Sequence, residues 1–280
     1  MGNQINARQL FQQLMYQPES RLDLALAALY IAQEDQEAGD PEQTLRELQH
    51  IAQHLRPEID QATTASDRVK VLNHHLFEQL GFHGNEMNYQ DPANSFLDQV
   101  LTTRVGLPIT LSILYIEIGR QLQLPISGVA LPGHFLVRYS DPVGDIYIDP
   151  FHRGRLWSYA ECEAQITAAY GDIAPETISA IMEPPPKRTI LERMLRNLKH
   201  TYITSQNFER ALGAVERILL IDPHNFQELR DRGILRARLQ LYHLALMDLE
   251  YYAENVYNAP DLPTLRLQAR AIAEHIITLN

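Results

Sequence analysis

Residues 107–154 of the chain run LPITLSILYIEIGRQLQLPISGVALPGHFLVRYSDPVGDIYIDPFHRG. The first part, Pro108 to Gln121, is apolar with few charges, which predicts a buried central helix. Two strand-like runs follow: Ile126 to Tyr139, which Pro132-Gly133 interrupts, and Ile146 to Ile148. Turn formers separate the two runs, which is typical of an antiparallel hairpin. The segment therefore predicts a helix packed on a small antiparallel sheet.

The residues before this segment predict helices and an ordered loop. Residues 20–56 contain two helices by their apolar spacing, the first capped by Ser20 and ended by Gly39. Asp40-Pro41 supplies a cap and a first-turn proline for the second. A third helix is expected from Ser66 to Leu80. The run of turn formers that follows, from Tyr89 to Ser95, predicts an ordered loop.

After the hairpin we expect a helix from Ser158 to Tyr170 and then a stiff proline-rich linker at residues 184–187. The linker is our predicted domain boundary. It separates an N-terminal domain, residues 1–183, from a C-terminal region, residues 188–280. Within the first domain, residues 1–90 form a helical portion and residues 91–183 a portion that carries a cleft.

The C-terminal region contains a sequence repeat. Aligning Ala211 with Ala245 gives a period of 34 residues, the length of the tetratricopeptide repeat. We expect two repeats, at about 192–225 and 226–259, and a capping helix from Asp261 to Leu279; a generic helical bundle is the alternative. The motif's apolar, small and proline positions are occupied by Leu195, Leu198, Tyr202, Ala211, Val215, Ile218 and Pro223, and then by Leu229, Gly233, Ala245 and Leu249.

Charge is unevenly distributed. The chain has 24 basic and 35 acidic side chains, and 13 basic and 11 acidic ones lie from Lys187 onward, which leaves 11 and 24 before it. So acidic an N-terminal part would repel phosphate backbones, which argues against nucleic acid as a partner.

Composition also bears on location. No run approaches 18 apolar residues, and Met1 to Asn6 lacks the layout of a signal peptide, so we expect no membrane association. The single Cys162 excludes an internal disulfide. Together these features predict a cytoplasmic protein.

Three motifs occur in order in the middle of the chain: Arg104-Val105-Gly106-Leu107-Pro108, Leu131-Pro132-Gly133-His134-Phe135 and Ile148-Asp149-Pro150. This order resembles the transglutaminase-like branch of the papain-type cysteine peptidases. More narrowly, residues 20–280 resemble the bacterial SirB-type family, which joins such a domain to tetratricopeptide repeats. The resemblance implies an α+β fold: a mostly helical N-terminal part with a small antiparallel sheet, followed by an all-α repeat region.

In that superfamily a cysteine opens a buried helix, a histidine lies on a following strand, and an aspartate on the next strand orients it. The helix dipole and the imidazole lower the pKa of such a thiol. His134 and Asp149 match the second and third members, but the cysteine position falls near Pro108 or Ile109, which cannot act as nucleophiles. Thr110, in the first turn of the same helix, is a weak substitute, since a hydroxyl needs a closely placed base.

The resemblance further implies a set of cleft residues. Alternatives stay open. Asn94 and Ser95 could serve only to close a turn, and Arg104 could pair with an acid. His134 and Asp149 could be a purely structural pair. His50 and His54 lie four residues apart, but we interpret them as a solvated surface, and we expect neither a metal nor a cofactor. The expected binding residues are Tyr89, Asn94, Ser95, Arg104 and Arg153.

Two functions are consistent with these features. The first is a non-catalytic interaction or regulatory scaffold, with a degenerate cleft and a repeat groove that binds a protein or peptide. The second is a hydrolase or acyltransferase in which His134 and Asp149 activate a Ser or Thr hydroxyl. The missing cysteine favours the first. The sequence does not identify the partner or the oligomeric state.

Overall fold

A computed structural model describes residues 6–36 and 39–279 of the chain. It divides into two compact units, one ending at Met194 and one beginning at Leu195. Met1 to Ile5, on which the expectation about a signal peptide rests, lie outside the described residues. No helix in the described ranges is both long enough and apolar enough to cross a membrane.

The first unit begins with helices. Their bounds are α1 Ala7–Met15, α2 Leu24–Gln36, α3 Pro41–Gln61 and α4 Ala65–Asn73, with a π-helix at His74–Gln79 continuing α4. Helix α1 was not predicted. The expected cap of α2 was wrong: the Asp23 carboxylate, and not Ser20, accepts the hydrogen bond from the Leu26 amide at 2.9 Å. The Asp40 cap of α3 is confirmed, since its carboxylate accepts from the Glu42 amide at 3.0 Å.

The chain then forms a short pair of parallel strands. Strands β1 His83–Gly84 and β2 Val105–Gly106 pair in parallel, with a 3-10 helix at Pro92–Ser95 and helix α5 Leu97–Thr103 between them. Helix α6 then runs from Pro108 to Gln121, the bounds predicted from its apolar composition. Its residues from Pro108 to Tyr115 are all buried, because neighbouring elements cover it on every side.

Four antiparallel strands form the main sheet in the order β3-β4-β5-β6. They are β3 Ile126–Val129, β4 Leu136–Tyr139, β5 Ile146–Asp149 and β6 Arg155–Trp157. The hairpin prediction is confirmed, whereas β6 was not foreseen because Arg155 to Trp157 shows no alternation. Helix α6 packs on β3 and β4.

Two helices, α7 Tyr159–Tyr170 and α8 Pro175–Met182, complete an apolar core with strand residues. Ser158 caps α7 through reciprocal hydrogen bonds with Glu161. The buried members of this core are Val129, Leu131, Leu136, Tyr147, Cys162, Ile166, Ile178 and Met182.

Helix α9, Lys187–Thr204, follows the proline run and contains the division between the units. Its first residues are anchored within the first unit: the Lys187 amide donates to the Glu19 carboxylate and the Lys187 ammonium to the Leu22 carbonyl at 2.7 Å. Arg188 pairs with Glu19 at 2.7 Å. A domain boundary at the prolines themselves stays a prediction.

The second unit continues with helices that pack consecutively, α10 on α11, α11 on α12 and α12 on α13. They are α10 Phe208–Ile221, α11 Phe226–Arg238, α12 Tyr242–Asn255 and α13 Leu262–Leu279. Gly233 lies where α11 crosses α12, and a Cβ there would be 2.9 Å from Leu249. Asp248, almost fully buried, accepts hydrogen bonds from Arg232 and Arg236 at 2.7–2.9 Å. At the crossing itself, a side chain larger than that of Gly233 would force Leu249 to shift, which agrees with the small residue predicted there.

Candidate functional site

Strands β4 and β5 bring the predicted His–Asp pair together. The chain turns at Gly133, whose positive φ of 69° favours glycine, and presents His134 just before β4 begins. The register pairs Val137 with Ile148, so Asp149 lies at the same end of the sheet. His134 Nε2 is 2.8 Å from Asp149 Oδ2.

Asp149 is fully buried and holds four hydrogen bonds. Its Oδ1 accepts from the backbone amides of Phe151 and His152, at 3.1 and 3.2 Å. Its Oδ2 accepts from His134 Nε2 and also from His152 Nδ1, at 2.7 Å. Burial by itself would raise the pKa of Asp149, but the hydrogen bonds and charges of His134 and then His152 outweigh it and hold that pKa below its ordinary value. The carboxylate is therefore kept ionised between two imidazoles.

Aromatic rings enclose the His134 imidazole. Trp157 stacks on it with centroids 5.7 Å apart and planes 22° apart, and Phe151 approaches edge-on at 6.3 Å. Tyr89 in turn packs on Phe151 at 6.1 Å, so it reaches the site through that ring. The Trp157 indole nitrogen is buried and has no hydrogen-bond partner among the described residues. Only 12% of the His134 side chain is exposed.

The turns on either side of the site are fixed to distant segments. Arg193 donates to the carbonyls of Leu131 and His134, at 2.8 and 2.6 Å. Gly154, with a φ of 77°, packs so closely on Asn73 that a Cβ at Gly154 would lie 2.5 Å from the Asn73 side chain. The Gly154 carbonyl accepts a hydrogen bond from the side-chain amide of Asn73 at 2.8 Å. The segment that enters β4 and the segment that leaves β5 are thus both fixed, at the end of the sheet where the site lies.

The candidate nucleophiles are engaged elsewhere. Thr110 lies in the first turn of α6, but its buried hydroxyl donates to the Asn94 carbonyl at 2.6 Å. The Ser112 hydroxyl donates to the Phe135 carbonyl at 3.4 Å. Cys162 lies in the apolar core, where burial and then the charge of Glu161 raise the pKa of its thiol to about 11. Within the described ranges no thiol or hydroxyl makes a hydrogen bond to His134.

The other predicted binding residues have mainly local contacts. Asn94 is buried and holds its own loop, donating to the Asn88 carbonyl at 2.8 Å, and Ser95 is buried beside it. The Arg104 guanidinium lies 4.8 Å from the centre of the Phe82 ring, and no ion pair of Arg104 occurs in the part of the chain that the structure describes. Arg153 is exposed and lines a shallow cavity of about 480 Å³, together with His83, Gly84, Asn85, Glu86, Met87, Phe151 and His152.

Three members of this site could hold a metal. His134 Nε2, Asp149 Oδ2 and His152 Nδ1 lie within 4.8 Å of one another. The sequence pattern pointed to other histidines, His50 with His54 and His74 with His75, as the pairs to weigh for a metal, and the structure places the His54 ring 5.4 Å from that of His75. The sequence pattern also missed Trp157 and Arg193. A lone tryptophan and an arginine 59 residues beyond His134 carry no motif, so local sequence offered no signal for them.

Comparison with known proteins gives the family. The family model for the transglutaminase-like superfamily matches residues 42–196, and the tetratricopeptide repeat model matches residues 198–270. A UPF0162 protein of Xylella fastidiosa is 37% identical, covering 84% of this chain and 85% of that protein. Protein SirB1 of Salmonella typhimurium is 27% identical, covering 84% and 87%. The chain belongs to the SirB-type family of transglutaminase-like proteins.

The motifs around His134 and Asp149 and the 34-residue repeat therefore identified the SirB-type family correctly. A UPF0162 protein of Vibrio cholerae, 30% identical over 71% of this chain and 73% of that protein, is a further relative. Among solved structures, the crystal structure of menin matches with a TM-score of 0.39 at 12% identity, covering 91% of this chain and 71% of menin. That score is too low to support an inference about the SirB-type chain.

Proposed function

We propose that this chain is a non-catalytic scaffold, in which the tetratricopeptide unit binds a partner protein and the cleft around His134 and Asp149 serves recognition or stability. The observation that carries the proposal is the state of the candidate nucleophiles. The Thr110 hydroxyl donates to a backbone carbonyl at 2.6 Å, and the chain's single thiol is buried in the core with a raised pKa. A His–Asp pair without a nucleophile can orient an imidazole, but it forms no covalent intermediate.

A surface of α12 suits a partner. Leu244, Met247 and Tyr251, spaced i, i+3 and i+7, are exposed on one face of this helix. Glu250 and Glu254, also exposed, lie along one side of that row. An apolar row beside two carboxylates complements an amphipathic helix with basic flanks, which is the occupant that we propose.

The test uses the full-length chain in its native host, with crosslinking followed by quantitative mass spectrometry. A double variant, Leu244→Asp with Met247→Asp, should lose a defined partner whose crosslinked segment is a basic amphipathic helix. Val143→Asp is the matched control, because Val143 is almost fully exposed in the β4–β5 turn. His134→Gln tests the cleft separately. If the double variant and His134→Gln both keep every partner of the native chain, the scaffold proposal fails.

The hydrolase or acyltransferase alternative rests on one observation, the 2.8 Å contact between His134 Nε2 and Asp149 Oδ2. It requires the Thr110 hydroxyl to leave the Asn94 carbonyl and face the imidazole. Fluorophosphonate and β-lactone probes, followed by intact mass measurement, would then label the protein. Labelling that both His134→Gln and Thr110→Val abolish would establish an enzyme and overturn the scaffold proposal; an unlabelled protein across pH and probe size would support the scaffold.

A further inference from the structure

We propose that His134, Asp149 and His152 form a binding site for a divalent first-row transition-metal ion, with Zn²⁺ as the expected occupant. The three ligand atoms, Nε2, Oδ2 and Nδ1, lie within 4.8 Å of one another. Ligand atoms bound at about 2.0–2.2 Å to one tetrahedral Zn²⁺ lie roughly 3.3 Å apart. The present separations from Asp149 Oδ2, 2.8 and 2.7 Å, need to widen by about 0.5 Å, and the two imidazole nitrogens, which lie no more than 4.8 Å apart, need to take up the same spacing.

The donor set selects the class of metal. Two imidazole nitrogens and one carboxylate oxygen suit Zn²⁺, Fe²⁺, Co²⁺ or Ni²⁺, whereas Mg²⁺ and Ca²⁺ prefer oxygen ligands alone. Three protein ligands leave at least one coordination position for water or a ligand from the cleft. To bind, each imidazole must present a lone pair in place of the N–H that now donates to Asp149, so that proton moves to the other ring nitrogen or to solvent.

The surrounding structure already orients two of the ligands. Backbone amides of Phe151 and His152 hold Asp149 Oδ1, which turns Oδ2 toward both rings. Stacking on Trp157 and the edge of Phe151 fix the plane of the His134 ring. Such support of ligating groups is a general property of protein metal sites.

His152 is the ligand that can adjust its position to the ion, and it lies where the ion can enter the site. Its side chain is 46% exposed and lies in the turn between β5 and β6, so neighbouring atoms constrain it less than His134, whose side chain is 12% exposed. The same exposure opens a path for the ion from solvent. The site goes beyond the scaffold proposal and is independent of it, because its test measures metal and involves no partner.

The experiment uses full-length protein without an affinity tag, stripped of metal with a chelator. Equilibrium dialysis against Zn²⁺, Co²⁺, anaerobic Fe²⁺ and Mg²⁺, with elemental analysis, gives affinity and stoichiometry. We expect one equivalent of Zn²⁺ or Co²⁺ and no binding of Mg²⁺ at this site. Bound Co²⁺ should show visible absorption bands and should quench Trp157, the single tryptophan of the chain.

Variants assign the ligands. His152→Ala and His134→Gln should each weaken Zn²⁺ binding by at least about 10-fold. His74→Ala is the matched control, since His74 is exposed and also pairs with a carboxylate, that of Glu78 at 2.8 Å. His54→Ala tests whether another pair of histidines, His54 and His75, binds the metal instead.

Three results would overturn the site: no bound transition metal, unchanged affinity in both His152→Ala and His134→Gln, or loss of binding in His74→Ala or His54→Ala instead. His134→Gln could unfold the sheet, which circular dichroism would reveal. In that case His152→Ala and the quenching of Trp157 decide, because the His152 side chain is 46% exposed and the variant keeps the backbone amide that holds Asp149 Oδ1.

Discussion

Arg193 donates a 2.6 Å hydrogen bond to the backbone carbonyl of His134, which lies 59 residues earlier in the chain. The same guanidinium donates to the Leu131 carbonyl at 2.8 Å and lies 5.5 Å from the centre of the Phe135 ring. Burial lowers the pKa of Arg193 below its ordinary value, yet an arginine remains charged at neutral pH. One side chain therefore clamps both ends of the turn that presents the imidazole.

Replacing Arg193 by lysine should loosen this turn, because an ammonium group lacks the planar fork that spans two carbonyls. We expect the free energy of unfolding to fall by about 1.5–3 kcal/mol, measured by urea denaturation. The His134 amide should also exchange faster in hydrogen–deuterium exchange. Arg46→Lys, at an exposed surface pair, should change stability by less than about 0.5 kcal/mol. Equal effects of the two variants would contradict the clamp.

Asp149→Asn should destabilise the sheet strongly. An amide offers one oxygen and an NH₂ group, so it cannot accept from two backbone amides and two imidazoles at once. We expect a loss of about 2–4 kcal/mol in the free energy of unfolding, measured with a chelator present to exclude metal effects. Asp145→Asn, which alters a more exposed carboxylate 3.4 Å from Arg138, is the control and should have a small effect. A tolerated Asp149→Asn would mean that the carboxylate is not needed as an anion.

The Cys162 thiol should be inert in the folded protein. It is fully buried, and its pKa is raised to about 11, so hardly any thiolate forms near neutral pH. A thiol-reactive disulfide reagent should therefore react slowly with native protein and fully in guanidinium chloride. Rapid reaction of the native state would show an accessible thiolate and contradict the buried position of Cys162.

The raised pKa of the Cys162 thiol also makes the stability of the fold depend on pH. The folded state keeps the Cys162 proton to a higher pH than the unfolded chain, whose thiol has an ordinary pKa of 9.0. The unfolding free energy is thus unaffected below pH 9 and falls as the pH rises from there toward 11, by at most about 2–3 kcal/mol. Comparison with Cys162→Ala isolates this contribution, because the variant should lack the additional fall.

Gly233→Val should destabilise the tetratricopeptide unit. A Cβ at this position would lie 2.9 Å from Leu249 and 3.1 Å from the Cβ of Asp248, so α11 and α12 would have to separate. We expect the free energy of unfolding to fall by about 1–3 kcal/mol, measured by thermal denaturation. Ala164→Val, at an exposed position of α7, controls for the helix propensity of valine and should cost about 0.5 kcal/mol. If both variants behave alike, close packing at Gly233 is not needed.

Local sequence determined much of this fold. Apolar composition placed α6 at Pro108–Gln121, and the 34-residue spacing of Ala211 and Ala245 predicted the packed helices of the second unit. The resemblance to the transglutaminase-like family implied the pair of His134 and Asp149, and the predicted hairpin placed the two residues on neighbouring strands. Helices, strands and turns follow patterns of residues close in sequence, where periodicity and turn chemistry act directly.

Only the tertiary structure decided what surrounds that pair. The partner of Thr110 is the Asn94 carbonyl, the clamp on His134 is Arg193, and the ring stacked on His134 is Trp157. A hydrogen bond or a ring contact requires that two segments come within a few ångströms, and the packing of the whole unit selects which segments do so. The sequence by itself therefore determined the family, most of the helices and, through the family resemblance, the His–Asp pair. Packing decided that the candidate hydroxyls bind main-chain carbonyls.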